Sequence, residues 1–481
     1  MKTSEAMFIA GGMLCQQMSM FVIGVLIGRT LGADDYGIFS LLRNGSIWLL
    51  PVMSLGLELA IQKHVAHEKR PGEFSSIYRV LRLSILTINF LTIAISYGLA
   101  ITLSNNRQLI DALFFAFLAM PFMSDALLAS GYLRALSRPV SISVFNDYLQ
   151  SMVRTALVLI SIWLGSSLIE ILIINAIAAA VTTIALWAYQ LRVDKIRGVI
   201  DANRKITKMA VAKARFIISE SVWMALSVLT YGSLRVADLF VLSFFVAANQ
   251  LGSYAALSAV AIFVRLYPLA LSQPLGAQIS RHFHNEDFGA IRRTFVGNIR
   301  QSITVATFVF AGIAAFGVDL NLVFGDTFTF DPVLCFLLPF SWFVSSVLTP
   351  TGLALSMTNN HRQETYALLI GSGFLLAMLA ILIPLFGPLG AAISSTIAFC
   401  VINFVRLWLA QRVLKLWLLQ YDMVWPILLS LVLAYTMSFF LHKYWEINLA
   451  NIICFCGAYT ALYFSIVFGY SRISNMRLRQ I

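Results

Sequence analysis

Stretches of about twenty mostly apolar residues, the length of one bilayer-spanning helix, recur along the whole chain and leave it few folds to adopt. They lie near 7–28, 39–61, 81–103, 109–131, 143–164 and 170–191, then near 216–246, 253–276, 302–324, 333–357, 366–386 and 389–410. Two more lie near 424–441 and 451–470. Fourteen such helices take about 280 residues, close to the whole apolar content, 59% of 481. With only 12% charged residues, a water-soluble globule of this size could not cover its own surface. The expected fold class is therefore an all-α polytopic membrane protein with about fourteen transmembrane helices. The first run is too long for a signal peptide, and no A-x-A-like site follows it. The loops and tails have no room for a large soluble catalytic domain. A G-x-x-x-x-G-K-[ST] phosphate loop is missing from the sequence, which argues against a nucleotide-driven pump.

The net charge is +12, from 34 Lys+Arg against 22 Asp+Glu. In a soluble chain such a balance suggests nucleic acid; in a membrane chain it reads as positively charged cytoplasmic loops, and no nucleic-acid partner is expected. With the N-terminus in the cytoplasm, 26 of the 34 basic residues fall on cytoplasmic segments. Four fall outside (Arg29, Arg43, Arg107, Lys443) and four within the spans (Arg154, Arg235, Arg265, Arg406). This asymmetry places both termini in the cytoplasm. The five cysteines sit in apolar runs, and Cys454 and Cys456 are too close for a C-x-x-C motif. His64, His67, His282 and His284 lie on connecting segments without the company of further ligands. No metal site and no cofactor follow.

An internal repeat is visible. Leu31-Gly32 with Tyr36 returns as Leu251-Gly252 with Tyr254, and Gly131-Tyr132-Leu133-Arg134 aligns with Gly352-Leu353-Ala354-Leu355. Leu164-Gly165 and Phe386-Gly387 lie at nearly the same offset. The repeat predicts an N-terminal six-helix lobe at 1–191, a basic cytoplasmic linker at 192–215, a second six-helix lobe at 216–410, and two extra helices with a tail at 411–481. Duplicated transporters of this kind bind their cargo between the repeats and alternate access by rocking.

The stretch from Ile27 to Leu41, Ile-Gly-Arg-Thr-Leu-Gly-Ala-Asp-Asp-Tyr-Gly-Ile-Phe-Ser-Leu, resembles the first outer loop of polysaccharide-transport flippases, roughly G-R-x-L-G-x-x-x-Y-G-x-F-S-L. Leu55-Gly56-Leu57 with Ala60 is similar to that family's second helix. The resemblance implies the Wzx-type branch of the MOP superfamily, with a MATE-like fold. Its members move undecaprenyl-pyrophosphate-linked oligosaccharide units across the bacterial inner membrane. MATE drug exporters share the fold but carry Pro and Asp in the first helix, and 7–28 has neither. In the motif itself, Gly28, Gly32 and Gly37 suit a hinge, while Asp34 and Asp35 suit turn or N-cap positions.

A charge at the centre of a span costs on the order of 2.5–3.5 kcal/mol, so each needs a reason. Arg265 lies about twelve residues into the eighth run, ahead of Pro268 and Pro274. By the repeat, Arg43 is its counterpart in the second helix, and Arg29 ends the first helix. Guanidinium binds phosphate oxygens in a planar fork and stays charged at any depth. Arg43, Arg265 and Arg29 are thus the candidates for a cationic substrate cleft; snorkelling of Arg29 and Arg43 to headgroups and a structural ion pair at Arg265 stand as alternatives. Arg235 and Asp238 share a helix face and form an ion pair, or Asp238 carries a coupling proton. Glu58, Asp125, Asp147 and Arg154 are expected as a packed network, with Glu58 the further candidate for coupling or pairing. No sugar-contacting residue is assigned.

The expected function is a flippase for a lipid-linked oligosaccharide serving O-antigen, capsule or exopolysaccharide synthesis, working in the bacterial inner membrane. Its partners would be the lipid-linked cargo, membrane lipids, and the polysaccharide polymerase and chain-length machinery. It is expected not to be an enzyme. Two other classes are weighed: an ion-coupled MATE-type exporter of small cations, which deep arginines disfavour, and a membrane polymerase or ligase, which would need a long outer loop with catalytic residues.

Overall fold

The computed structural model describes residues 3–66, 71–103, 107–136, 138–196, 208–285, 287–357, 361–414 and 423–478. Within the expected linker 192–215, residues 197–207 lie outside the described residues; so do His67, residues 415–422 and residues 479–481 of the tail. Every regular element among the described residues is a helix. In hydrocarbon an unpartnered backbone group costs several kcal/mol, and a helix satisfies its own.

In chain order the helices are α1 (Thr3–Met53), α2 (Leu57–Ala66), α3 (Pro71–Leu103), α4 (Arg107–Leu118), α5 (Met120–Ala135), α6 (Pro139–Ile142), α7 (Gln150–Trp163), α8 (Leu168–Ile196) and α9 (Lys208–Leu242). Then follow α10 (Ala248–Ala261), α11 (Leu266–His284), α12 (Phe288–Phe316), α13 (Asn321–Phe324), α14 (Pro332–Met357), α15 (His361–Phe386), α16 (Pro388–Leu414), α17 (Val424–Tyr444) and α18 (Leu449–Leu478). A π-helical turn, Ser143–Leu149, joins α6 to α7, and the 3-10 turn Ile262–Arg265 joins α10 to α11.

Eleven helices among the described residues are long and apolar enough to cross a membrane, or up to twelve when the broken α9 counts as a span. The expected fourteen is not reached on this measure, for two physical reasons. Phe8–Met53 counts once although its 46 residues are about twice a span, and its backbone leaves the helix at Gly32 (φ 85°, ψ −178°). The fifth expected span is divided by the π turn. Large apolar side chains face outward along the helices, Phe90, Trp223 and Phe404 among them, as lipid contact requires.

The chain packs as two compact units, Met1–Leu31 with Ile38–Val236, and Gly32–Gly37 with Ala237–Ile481. The lobes expected at 1–191 and 216–410 follow the repeat. The units follow packing, and they place most of α9 in the first unit and α17 and α18 in the second.

In the first unit Leu57, Ile61, Leu81, Ile85, Leu128 and Ile217 form a core shared by α2, α3, α5 and α9. Gly56, at φ 64°, turns the chain between α1 and α2 so tightly that a Cβ there would lie 2.5 Å from the Ser221 carbonyl oxygen. Trp48 donates its indole N–H to the Leu229 carbonyl (3.3 Å) and the Ser233 hydroxyl (3.0 Å). An outside donor on a helix carbonyl, beside Gly232, is a recognised cause of a break such as the one in α9.

In the second unit Val264, Phe295, Phe310, Phe343 and Leu407 centre the core of α11, α12, α14 and α16. The closing pair α17–α18 is bound to α12 by polar glue on small residues. Ser438 donates to the Ala315 carbonyl (2.8 Å), Ser430 to that of Thr307 (3.1 Å), and Tyr463 to that of Thr304 (2.8 Å).

Candidate functional site

Arg265 closes the 3-10 turn between α10 and α11. The cause lies three residues on. Pro268 has no N–H to offer the carbonyl of Val264, and its ring crowds that oxygen, so the ladder tightens ahead of it. The break leaves Arg265 half-buried, its guanidinium carbon 5.1 Å from the centroid of the Trp342 ring on α14. Trp342 in turn lies against Phe399 of α16, with centroids 5.5 Å apart. No carboxylate pairs with Arg265 among the described residues. The structural ion pair allowed by the sequence therefore has no acid there, and an aromatic face takes its place.

Asp238, near the end of α9, accepts hydrogen bonds from Tyr254 Oη of α10 (2.7 Å) and Ser395 Oγ of α16 (3.3 Å). Tyr254 and Ser395 are themselves buried. This carboxylate is held by neutral hydroxyls from two other helices, and the backbone N–H of Leu239 adds a third donor at 2.8 Å. Arg235, exposed on the same helix, belongs to the first unit and Asp238 to the second.

In the first unit Glu58 of α2 forms an ion pair with Arg134 of α5. The pair is possible because Gly131, one turn earlier on α5, lets the backbone of Glu58 come against the helix where a side chain would stand. Arg29 is exposed on α1 and Arg43 is half-buried on the same helix. Arg43 and Arg265 thus belong to different units, and their facing one another stays an expectation from the repeat.

The expected network of Glu58, Asp125, Asp147 and Arg154 is corrected. The four do not bond to one another: Asp125 pairs with Arg82 (2.5 Å), Asp147 accepts from Ser143 Oγ (2.5 Å), Glu58 holds Arg134, and Arg154 makes no hydrogen bond among the described residues. Helix-face arithmetic could not see this, because each partner comes from another helix or from the π turn. Sequence reasoning also passed over Trp342, Arg82 and the pair Arg406–Glu364, which joins α16 to α15 against Gly352. For Arg406 a signal existed, since a charge inside a span demands a partner; nothing in the sequence marked Trp342.

Residues 3–273, more than half of the chain, match the family described as polysaccharide biosynthesis protein. The chain belongs to that family. A curated relative, the probable low-salt glycan biosynthesis flippase Agl15 of Haloferax volcanii, is 24% identical over 379 residues, covering 78% of this chain and 76% of the relative. Among solved structures, the lipid II flippase MurJ in an inward closed conformation superposes with a TM-score of 0.74 at 12% identity, over 96% of this chain and 99% of that one. An inward-facing multidrug resistance MATE family transporter of the MOP superfamily superposes with a TM-score of 0.66 at 14% identity, over 83% and 94%. The fold of this polysaccharide biosynthesis family member is therefore MATE- and MurJ-like. Its second unit offers an arginine on an aromatic platform and a carboxylate held by hydroxyls. The first suits an anion beside a saccharide ring; the second suits a proton or a small cation.

Proposed function

We propose that the chain is a flippase that carries a polyprenyl-pyrophosphate-linked oligosaccharide from the cytoplasmic to the periplasmic leaflet of a bacterial inner membrane, for O-antigen, capsule or exopolysaccharide assembly. The observation that carries this reading is Arg265, a charge within the candidate span Ala248–Ser272 that rests on Trp342 and has no acid beside it among the described residues. Family membership and the likeness to a glycan flippase and a lipid II flippase support the same cargo class. In this reading Arg265 takes phosphate oxygens in its fork. Arg43 and Arg29 extend the cationic path, and access alternates between lobes. Asp238 exchanges the coupling ion, driven by a gradient or the membrane potential. Glu58, bound to Arg134, serves as a structural ion pair. The protein is a transporter and not an enzyme, both termini are cytoplasmic by the charge asymmetry, and the polymerase and chain-length machinery take the delivered units.

Deletion of the gene and extraction of lipid-linked intermediates tests this reading. It predicts accumulation of one oligosaccharide unit on the inner leaflet, restored to normal by the intact gene. An unchanged pool, with export of cationic dyes impaired instead, would favour the MATE-type exporter.

A further inference from the structure

Polar contacts between α12 and α17 fall in one register. Ser430 donates to the Thr307 carbonyl and Ser438 to that of Ala315, each pair 123 positions apart. His442 and Asp319 continue the seam at the same offset, with Nε2 3.3 Å from Oδ1. A constant offset means two helices running side by side in the same direction, so this contact closes the seam one turn beyond Ser438. Asp319 stands in the 3-10 turn Gly317–Leu320 that follows α12, and His442 in the last turn of α17. The Asp319 side chain is 8% exposed and that of His442 35%, so water reaches the pair from the histidine side.

The chemistry of the ring decides what this contact is. Nδ1 of His442 lies 2.8 Å from the Ser438 carbonyl oxygen. A carbonyl oxygen only accepts, so Nδ1 carries a proton. In the neutral ring Nε2 is then an acceptor, facing a carboxylate that also only accepts. The contact is a hydrogen bond only when the pair holds one further proton. Two features keep that proton on Nε2. The ring sits at the C-terminal end of α17, where the helix dipole favours a cation. Asp319 Oδ2 has no hydrogen-bond partner among the described residues, so without the imidazolium the buried carboxylate would lack any side-chain donor.

The groups around the pair are otherwise engaged or apolar in setting. Cys335 of α14 lies against Gly317, where a Cβ would stand 2.9 Å from its Sγ, and Cys456 of α18 packs in one apolar cluster with Phe316 and Leu441. Asp331 accepts from the N–H groups of Val333 and Leu334, and Lys443 lies over the rings of Phe439 and Tyr444. Tyr459 of α18 shares its hydroxyl with Ser430.

We infer that His442 and Asp319 form a proton-binding clasp between the ends of α17 and α12, closed while Nε2 holds its proton and slack once the proton leaves. The folded pair then binds more protons than the unfolded chain does above the ordinary imidazole value of about 6.5. Stability therefore falls as the pH rises through the release of that proton. In the proposed topology this end faces the periplasm, so acidity there sets how firmly α17 and α18 hold to the second unit. The clasp is separate from Asp238 and from the cargo arginines.

The test uses the full-length protein in phosphatidylcholine nanodiscs, with Tm measured from about pH 5.5 to about pH 8.5, either side of the ordinary imidazole value. Across that range the wild type should lose on the order of 2 °C relative to His442→Leu, as one charge-assisted hydrogen bond is given up. Asp319→Asn should behave differently. Its amide can donate to the neutral Nε2, so its margin over Asp319→Asn/His442→Leu should persist at the alkaline end. Ring 15N NMR of histidine-labelled protein, with His442 assigned by its loss in His442→Leu, reads the proton itself. Both ring nitrogens should be protonated at the acid end, and Nδ1 alone at the alkaline end. Parallel Tm profiles for the wild type and His442→Leu would overturn the inference, as would a neutral ring protonated on Nε2. None of these readouts involves cargo, so failure of the flippase reading would leave them unchanged.

Discussion

The carbonyl oxygen of Ala33 occupies the place where a side chain on Gly252 would begin. Gly37 stands in the same relation to the Ala248 carbonyl, 2.5 Å from where its Cβ would be. One glycine from each copy of the repeated Leu-Gly…Tyr element thus opens its backbone to the other copy, inside the second unit. Around this contact Ala33 N–H donates to Thr327 Oγ1 (3.2 Å), and Tyr36 meets Phe324 and Phe328 edge-on. The family signature is therefore a packing device: of the three glycines expected to form a hinge, Gly32 alone departs from the helix, while Gly37 serves a close backbone approach.

Gly252→Ala should destabilise the protein by about 1–3 kcal/mol, because the new methyl group must push a backbone carbonyl away. Gly45→Ala, on α1 with open space around it, should hold or raise Tm through helix propensity, by up to about 1 kcal/mol. Thermal unfolding of the two purified variants separates them. Equal Tm values would mean the close approach has no energetic weight.

The ion pairs Arg406–Glu364 and Arg134–Glu58 should differ in weight. Arg406 and Glu364 are both nearly buried, whereas Arg134 is 42% exposed beside Glu58. Arg406→Met strands a buried carboxylate and should cost about 3–5 kcal/mol, most of it recovered by adding Glu364→Gln. Arg134→Met should cost about 1 kcal/mol or less. Accumulation and Tm of the single and double variants check both; a harmless Arg406→Met would mean that water reaches Glu364.

Tyr254→Phe removes the shortest side-chain hydrogen bond to Asp238 and should lower stability by about 1–3 kcal/mol, the cost of an acceptor left short of donors. Paired with Asp238→Asn, the loss should be smaller than the sum of the singles, since both changes break one bond. A strictly additive double variant would show that the two side chains act independently.

These relationships also mark how far the sequence could be read. The membrane class, the helical architecture and the family were legible because they rest on span-length apolar runs and a local signature, both carried by contiguous residues. Gly32 was legible as a break, since the motif placed three glycines within ten residues. The partners of the buried charges were not. Asp238 takes Ser395 from 157 positions away, and Asp125 takes Arg82 from 43. Such pairings depend on how helices pack, which face periodicity on one helix does not encode. The count of spans slipped for a related reason: a π turn divides the fifth run without any change in its apolar composition.

Arg265 should prove the most sensitive charge in the second unit. Arg265→Ala is expected to abolish export while the protein inserts and accumulates at its usual level, since no carboxylate is stranded among the described residues. Arg265→Lys should keep part of the activity, because it retains the charge but loses the bidentate fork. Trp342→Leu should act through the arginine: it removes a cation–π contact of about 0.5–2 kcal/mol and should weaken cargo binding by up to about thirtyfold. In the Arg265→Ala background it should add little, because the cation it steadies is already gone. A structural ion pair would behave differently. Removing Arg265 would lower Tm along with transport, and neutralising its acid, Asp238→Asn being the obvious choice, would restore both. The bonds that Asp238 accepts from Tyr254 and Ser395 argue for no such rescue, so a restored Tm in Arg265→Ala/Asp238→Asn is the result that would return Arg265 to a structural role.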